Sequence, residues 1–267
     1  EAPGLIRSLI AALDLSSRSW VCPAEDISSR TEELEETTLI VVAGGDGTIL
    51  RAIQVVAAHQ VPIVAVNMGR VGFMSELRVE DAAEGLPLYL NGEMRVERRM
   101  MLQATVTGDG DEGDPVTSHA LNDVVVGRGG VAKLLDIETR VDGVPLTSYR
   151  ADAVIVSTAT GSTGYNLAVG GPILDIASDS LVLKPVAAHM GLTAALVLSA
   201  ESNVELSLEG YQDATLSIDG YVDFPMEPGD KVIVKQSPYR ARFLRANPPS
   251  HYYATLTRRL GVSIRGQ

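Results

Sequence analysis

The residues best suited to chemistry lie in Gly44-Gly45-Asp46-Gly47-Thr48, between an apolar run and a helical pattern. Glycines let the main chain turn tightly there, so that a phosphate or pyrophosphate approaches N–H groups at a helix start. Gly45, Gly47 and Thr48 are the candidates for that contact. A carboxylate does not help to bind phosphates, because like charges repel. Asp46 therefore points to proton removal from an attacking hydroxyl, or to ligation of a metal ion. Taken alone, the pentapeptide reads equally well as a plain turn with Asp46 capping a helix. The Walker pattern ending in Gly-Lys-Ser/Thr is absent, and no Gly-x-Gly-x-x-Gly leads from a strand into a helix as a hydride-transferring dehydrogenase requires.

A second constellation, Thr160-Gly161-Ser162-Thr163-Gly164-Tyr165-Asn166, follows the apolar run Val154-Ile155-Val156. Its hydroxyl and amide groups can hydrogen-bond a purine or a sugar, and Tyr165 offers a flat stacking face. The plainer reading is a Ser/Thr-rich helix cap. Asn122-Asp123 is a pair able to grip ribose hydroxyls. Lys133, Arg150 and Asp152 are scattered charges among apolar strands, and each by itself reads as a solvated surface residue. The four histidines are isolated, so no zinc site is expected. Gly127-Arg128-Gly129-Gly130 reads as a turn. The acidic stretch from Gly108 to Pro115 reads as a solvated hairpin tip, because no Glu closes a calcium-loop pattern.

Positioning these groups requires two kinds of architecture. Residues 39–43 and 63–66 read as buried strands, and 48–56 as a helix with Ile49, Ile53 and Val56 on one face, the signature of parallel strands joined by crossovers. The loop from Asn67 to Phe73 follows the second strand at its carboxyl end, where open α/β sheets bind ligands; Asn67, Gly69 and Phe73 are its candidates. From about Arg98 the pattern changes to short strands separated by Asp142-Gly143, Glu209-Gly210 and Asp219-Gly220. The expected domains are an α/β domain over 1–97 and a β-rich domain over 98–244. Segment 245–267, with a short helical pattern, packs back on the first.

The chain of 267 residues is 45% hydrophobic, long enough for such a pair of cores. Lys and Arg total 22 against 34 Asp and Glu, and the net charge of -12 argues against nucleic acid or an anionic membrane as partner. An anionic ligand must therefore be held by local N–H groups, a few placed cations or a metal ion. No apolar run approaches the roughly 20 residues of a membrane span. The amino end has no basic region followed by an apolar stretch, so no signal peptide is expected, and with Cys22 as the sole cysteine a cytoplasmic location is the expectation.

Taken in order, Gly44-Gly45-Asp46-Gly47-Thr48, the Asn67–Phe73 loop, Asn122-Asp123, the loop from Thr160 to Asn166 and Asp219-Gly220 resemble the NAD kinase family over most of the chain. The resemblance implies a Rossmann-like, phosphofructokinase-like α/β domain and a β-sandwich-like domain, with NAD between them. It implies that Asp46 takes the proton from the 2′-hydroxyl of the adenosine ribose, and that Gly47 and Thr48 face phosphates. Asn122 and Asp123 match the family's ribose and adenine contacts, and Thr163, Gly164, Tyr165 and Ala168 its adenine loop. Arg51, Lys133, Arg150, Asp152 and Ala187 fall on further contact positions, some acting across a subunit interface. Magnesium, bound with ATP or polyphosphate, and a homodimer or homotetramer are also implied. The sequence departs from the family at Ala159, where Pro is usual, and at Gly164, where Ala is usual. It departs further at Gly191, Ala194, Ala195 and Tyr221. Two other readings stand beside this one: a lipid or sugar kinase sharing the Gly-Gly-Asp-Gly turn, and a non-catalytic dinucleotide sensor. The loop at 160–166 favours a nucleotide acceptor.

Overall fold

The computed structural model describes residues 2–69, 72–92, 94–108, 115–130 and 133–261. The chain forms two compact units: unit 1 comprises Glu1–Arg98 and Ala241–Gln267, and unit 2 comprises Arg99–Arg240. Unit 1 opens with α1 (Ala2–Ala12) and α2 (Thr31–Glu35), followed by β1 (Ile40–Gly44), α3 (Asp46–Val56), β2 (Ile63–Asn67), β3 (Leu77–Arg78) and α4 (Ala82–Leu90). Strand β4 (Arg95–Thr107) leads into unit 2, which contains β5 (Val116–Ala120), β6 (Asp123–Arg128), β7 (Leu135–Val141), β8 (Val144–Ala151) and β9 (Ala153–Ser157). The one-turn α5 (Tyr165–Ala168) follows, then β10 (Leu181–Val186), β11 (Leu196–Leu198), β12 (Val204–Glu209), β13 (Ala214–Ile218) and β14 (Val222–Met226). Strand β15 (Lys231–Arg245) returns the chain to unit 1, where α6 (His251–Arg259) closes the described fold.

In unit 1, β1 and β2 pair in parallel from Ile40↔Ile63 to Gly44↔Asn67. Parallel pairing requires a crossover, and α3 provides it, burying Ile49, Ile53 and Val56 on the face read from the sequence. All five residues of β2 are buried, as expected of a central parallel strand. Strand β3 joins β2 in parallel, and Phe243 of β15 pairs with Ile63 in the same sense. Val64, Val66, Leu77, Leu86, Tyr89 and Leu244 form part of the core. The α/β architecture is thus present, and it places the β1–α3 turn and the loop after β2 side by side at the carboxyl ends of paired strands.

Unit 2 is built from antiparallel pairings. One sheet runs β11-β10-β9-β6-β13-β14. The other layer includes β15–β12, β12–β7, β7–β8 and β4–β5. Val124, Val154 and Leu216 of the first sheet share one core with Ile137, Leu206 and Val234 of the second layer, making the unit β-sandwich-like. Burial of each such side chain contributes about 1.5–3 kcal/mol. One expectation fails here. Gly127 and Arg128 are not a turn but the end of β6, where Gly127 lies opposite Ala153 and Thr215. The expected hairpin tip at Asp109–Asp114 lies outside the described residues.

Candidate active site

Within unit 1, β1 ends at Gly44, and Gly45 is the N-cap of α3 in an extended conformation with no side-chain cap. Asp46 is therefore the first helical residue and not the cap, so its carboxylate is available for other work. Its Oδ2 accepts the Phe73 N–H at 3.2 Å and lies 3.5 Å from Arg259 Nη2. Its Oδ1 is enclosed without a hydrogen-bond partner. Gly72 forms the wall: a Cβ there would lie 2.1 Å from Oδ1, so only glycine permits this approach. The Arg259 Cζ lies over the Phe73 ring, 4.0 Å from its centroid, and burial lowers the guanidinium pKa while Asp46 acts in the opposite direction. Around Gly45 and Gly47 a Cβ would meet nothing within 4 Å, which leaves room at the start of α3. Thr48 packs against Gly44, the Asn67 amide closes the turn by bonding Gly69 through both its oxygen and its nitrogen, and Arg51 is exposed on α3.

Within unit 2, a cleft of about 390 Å³ is lined by Asn122, Asp123, Gly164, Tyr165, Ser217 and Asp219, among others. That volume falls in the range of small-molecule sites. Asp219 organises it. The residue begins the β13–β14 turn with φ +54, a left-handed conformation that Asp tolerates. Its carboxylate accepts the N–H groups of Leu121 at 2.8 Å, Asn122 at 2.7 Å and Asp123 at 3.1 Å. Burial, and then the charge of Asp219, raises the Asp123 carboxyl to about 7.

The loop from Ser157 to Asn166 supports the same turn from the other side. Thr158 N–H and Ser157 Oγ both donate to the Asn122 carbonyl, and Thr158 Oγ1 donates to Leu121 O at 2.6 Å. Gly161 packs so closely on Asn122 that a Cβ would lie 2.1 Å from its carbonyl oxygen. Ser162 Oγ donates to Ala159 O and accepts from Leu174 N–H, Thr163 Oγ1 donates to Thr160 O, and the Asn166 amide donates to Ser162 O and Pro172 O. The hydroxyls that suggested ligand contacts thus hold the loop together. Within it, Gly164 and Tyr165 line the cleft, with Tyr165 43% exposed.

Other expected contacts lie elsewhere. Lys133, Ala168 and Ala187 are exposed, the last with φ +47. Arg150 is exposed on β8 beside Met190, and Asp152 pairs with Arg128 at 3.2 Å. None of these five lines the cleft. Sequence reasoning missed Arg259, for which a basic residue in a last helical turn is an ordinary dipole complement and no signal of a site. It also left Gly72 without a role. Among the described residues no group of three or more His, Cys, Asp or Glu could hold a metal ion, and no helix is long and apolar enough to cross a membrane.

A glycine-flanked carboxylate opening a crossover helix, and in the same chain a β-rich unit with a cleft of small-molecule size, are features suited to a phosphotransferase. Residues 13–94 match the ATP-NAD kinase N-terminal domain and residues 121–246 the ATP-NAD kinase C-terminal domain; the chain belongs to the NAD kinase family. An NAD kinase of Dehalococcoides mccartyi is 39% identical over 253 residues, covering 94% of this chain and 89% of that protein. One from Geobacter sulfurreducens is 35% identical over 262 residues, covering 97% and 89%. Among solved structures, a yeast NADH kinase complexed with NADH superimposes with a TM-score of 0.78 at 25% identity, covering 86% of this chain and 68% of that one. An NAD kinase from Archaeoglobus fulgidus in complex with ATP gives 0.74 at 27% identity, covering 95% and 94%. The chain is therefore an enzyme of phosphoryl transfer, and the lipid-kinase, sugar-kinase and sensor readings give way.

Proposed function

We propose that the protein transfers the terminal phosphoryl group of ATP or polyphosphate to the 2′-hydroxyl of the adenosine ribose of NAD, forming NADP, with Asp46 as the base. The carboxylate takes the hydroxyl proton as the ribose oxygen bonds to phosphorus, and the bridging P–O bond breaks with its electron pair leaving on the shortened donor. The observation that carries this reading is the setting of Asp46: first residue of α3, fixed by Phe73 N–H and Arg259, with space around Gly45 and Gly47. The Gly45 and Gly47 N–H groups donate to phosphate oxygens, in agreement with the preference of helix starts for anions, with the Thr48 side chain beside them because the Thr48 N–H is donated to Gly45 O at 3.0 Å.

Asn122, Asp123, Gly164 and Tyr165 take the adenosine portion, with Asp219, Thr160, Gly161, Ser162, Thr163 and Asn166 shaping their surroundings. Asn67 and Gly69 shape the loop that ends at Phe73. Magnesium fits as a companion of the donor. Among the described residues no group of three or more His, Cys, Asp or Glu could hold it, so phosphate and water would supply most of its ligands, and when bound it would offset the charge of the transferred group. We assign Arg51, Lys133, Arg150, Asp152, Ala168 and Ala187 to outer contacts, some of them formed when copies associate as a homodimer or homotetramer. A cytoplasmic setting completes the proposal.

Purified protein supplied with NAD, magnesium and either ATP or polyphosphate should form NADP. Asp46→Asn should retain NAD binding and lose nearly all turnover. Absence of NADP with both donors overturns the reaction, and full turnover by Asp46→Asn overturns the base.

A further inference from the structure

We infer that Arg259 of the closing helix is a positioning residue for the reaction, holding the Asp46 carboxylate in the orientation from which it accepts the proton. The inference rests on the assignment of Asp46 as base. Arg259 Nη2 lies 3.5 Å from Asp46 Oδ2 while its Cζ lies 4.0 Å from the Phe73 ring centroid. A guanidinium presents its N–H groups as a rigid planar fork, a geometry that an ammonium does not reproduce. Phe73 serves both partners, since its own N–H donates to the same Asp46 oxygen.

This assembly is anchored from below. Arg245, 5% exposed, donates to Met74 O at 2.7 Å and to Glu97 at 3.1 Å. Glu76 accepts the Ala246 N–H at 2.8 Å and the Tyr89 hydroxyl at 2.9 Å. The loop that walls Asp46 and the segment that leads into α6 are therefore fastened to each other. Helix α6 has no fully buried residue, and Arg259 is the side chain it directs at the Asp46 carboxylate and the Phe73 ring.

The test compares wild type, Arg259→Ala, Arg259→Lys and Asp46→Asn for melting temperature, NAD binding, kcat and KM. Arg259→Ala should melt near wild type, keep its KM for NAD and lose roughly 10- to 100-fold in kcat, the scale of a misplacement of about 1 Å. Arg259→Lys should recover part of that loss. Free guanidinium ion, far below denaturing concentration, should restore part of the kcat of Arg259→Ala and none of Asp46→Asn. Wild-type kcat in Arg259→Ala, a change confined to KM, or a kcat loss without guanidinium rescue overturns the inference. If Asp46→Asn turns over normally the base assignment falls instead, whereas an inactive Asp46→Asn beside a fully active Arg259→Ala removes only the role of Arg259.

Discussion

The carboxylate of Asp219 holds the main chain of Asn122, accepting its N–H at 2.7 Å while also receiving those of Leu121 and Asp123. Three donors converge on one charged group, so Asp219 acts through the backbone of the residues that line the cleft. Asp219→Asn would present an amide to at least one of these N–H groups, donor against donor. Hydrogen bonds to charged groups contribute about 1.5–3 kcal/mol, and the variant should lose stability on that order in denaturant unfolding. Its KM for NAD should rise with the displacement of Asn122 and Asp123. Unaltered stability and KM would show that the turn is held by other means.

Gly72 predicts a separation of binding from turnover. A methyl group at this position would lie 2.1 Å from Asp46 Oδ1, and the carboxylate must move to accept it. Gly72→Ala should lower kcat by roughly 100-fold, as a shift of about 1 Å in a catalytic group does. Equilibrium NAD binding should persist. Steady-state kinetics beside a fluorescence titration distinguishes the two effects.

The Asp123 carboxyl makes stability depend on pH. Burial and the neighbouring Asp219 raise it from 3.8 to about 7 in the folded protein. The folded state therefore binds more protons than the unfolded chain between those values, and stability falls as pH rises through this window. Above about pH 7 the penalty is complete, roughly 3–5 kcal/mol at 1.36 kcal/mol per unit. Asp123→Asn should consequently be more stable than wild type at pH 8, with the advantage shrinking toward pH 4, and should bind NAD poorly. Equal pH dependence of the two unfolding curves would refute this.

Tyr165 stands at the lip of the cleft, 43% exposed. Stacking of a base on an aromatic ring contributes about 1–3 kcal/mol. Tyr165→Ala should raise the KM for NAD by roughly 5- to 100-fold while its melting temperature stays near wild type. An unchanged KM would move the adenine elsewhere.

The distinction between what the sequence reveals and what it conceals follows the range of the interactions. The β1–α3 turn is legible because strand, glycines and helix period lie within a short window, and the loop at 160–166 because its hydroxyls follow an apolar strand directly. Chemical type alone does not give the partner: Ser162 and Asn166 carry groups suited to a ligand, and their hydroxyl and amide N–H groups also bond to their own loop. Gly127 and Arg128 carry turn composition, but a small residue opposite Ala153 suits the ladder, and Arg128 finds Asp152 as partner. Asp219 meets Leu121 across 98 positions of sequence, and Arg259 meets Asp46 across a greater separation still. No local pattern encodes either meeting; only the closed fold brings the partners together.

Strand β15 has a consequence for how the molecule is made. Unit 1 takes Phe243 beside Ile63 and receives Arg259 at Asp46, so it needs segments translated after all of unit 2. Synthesis proceeds from the amino end, and domains generally fold as units as they emerge. On the ribosome the β-rich unit has its whole sequence first, while the earlier-made part of the α/β unit waits without the strand that pairs with Ile63 of β2. The order of completion is the reverse of the order of the chain, and the base becomes fully framed only after the β-rich unit has been made.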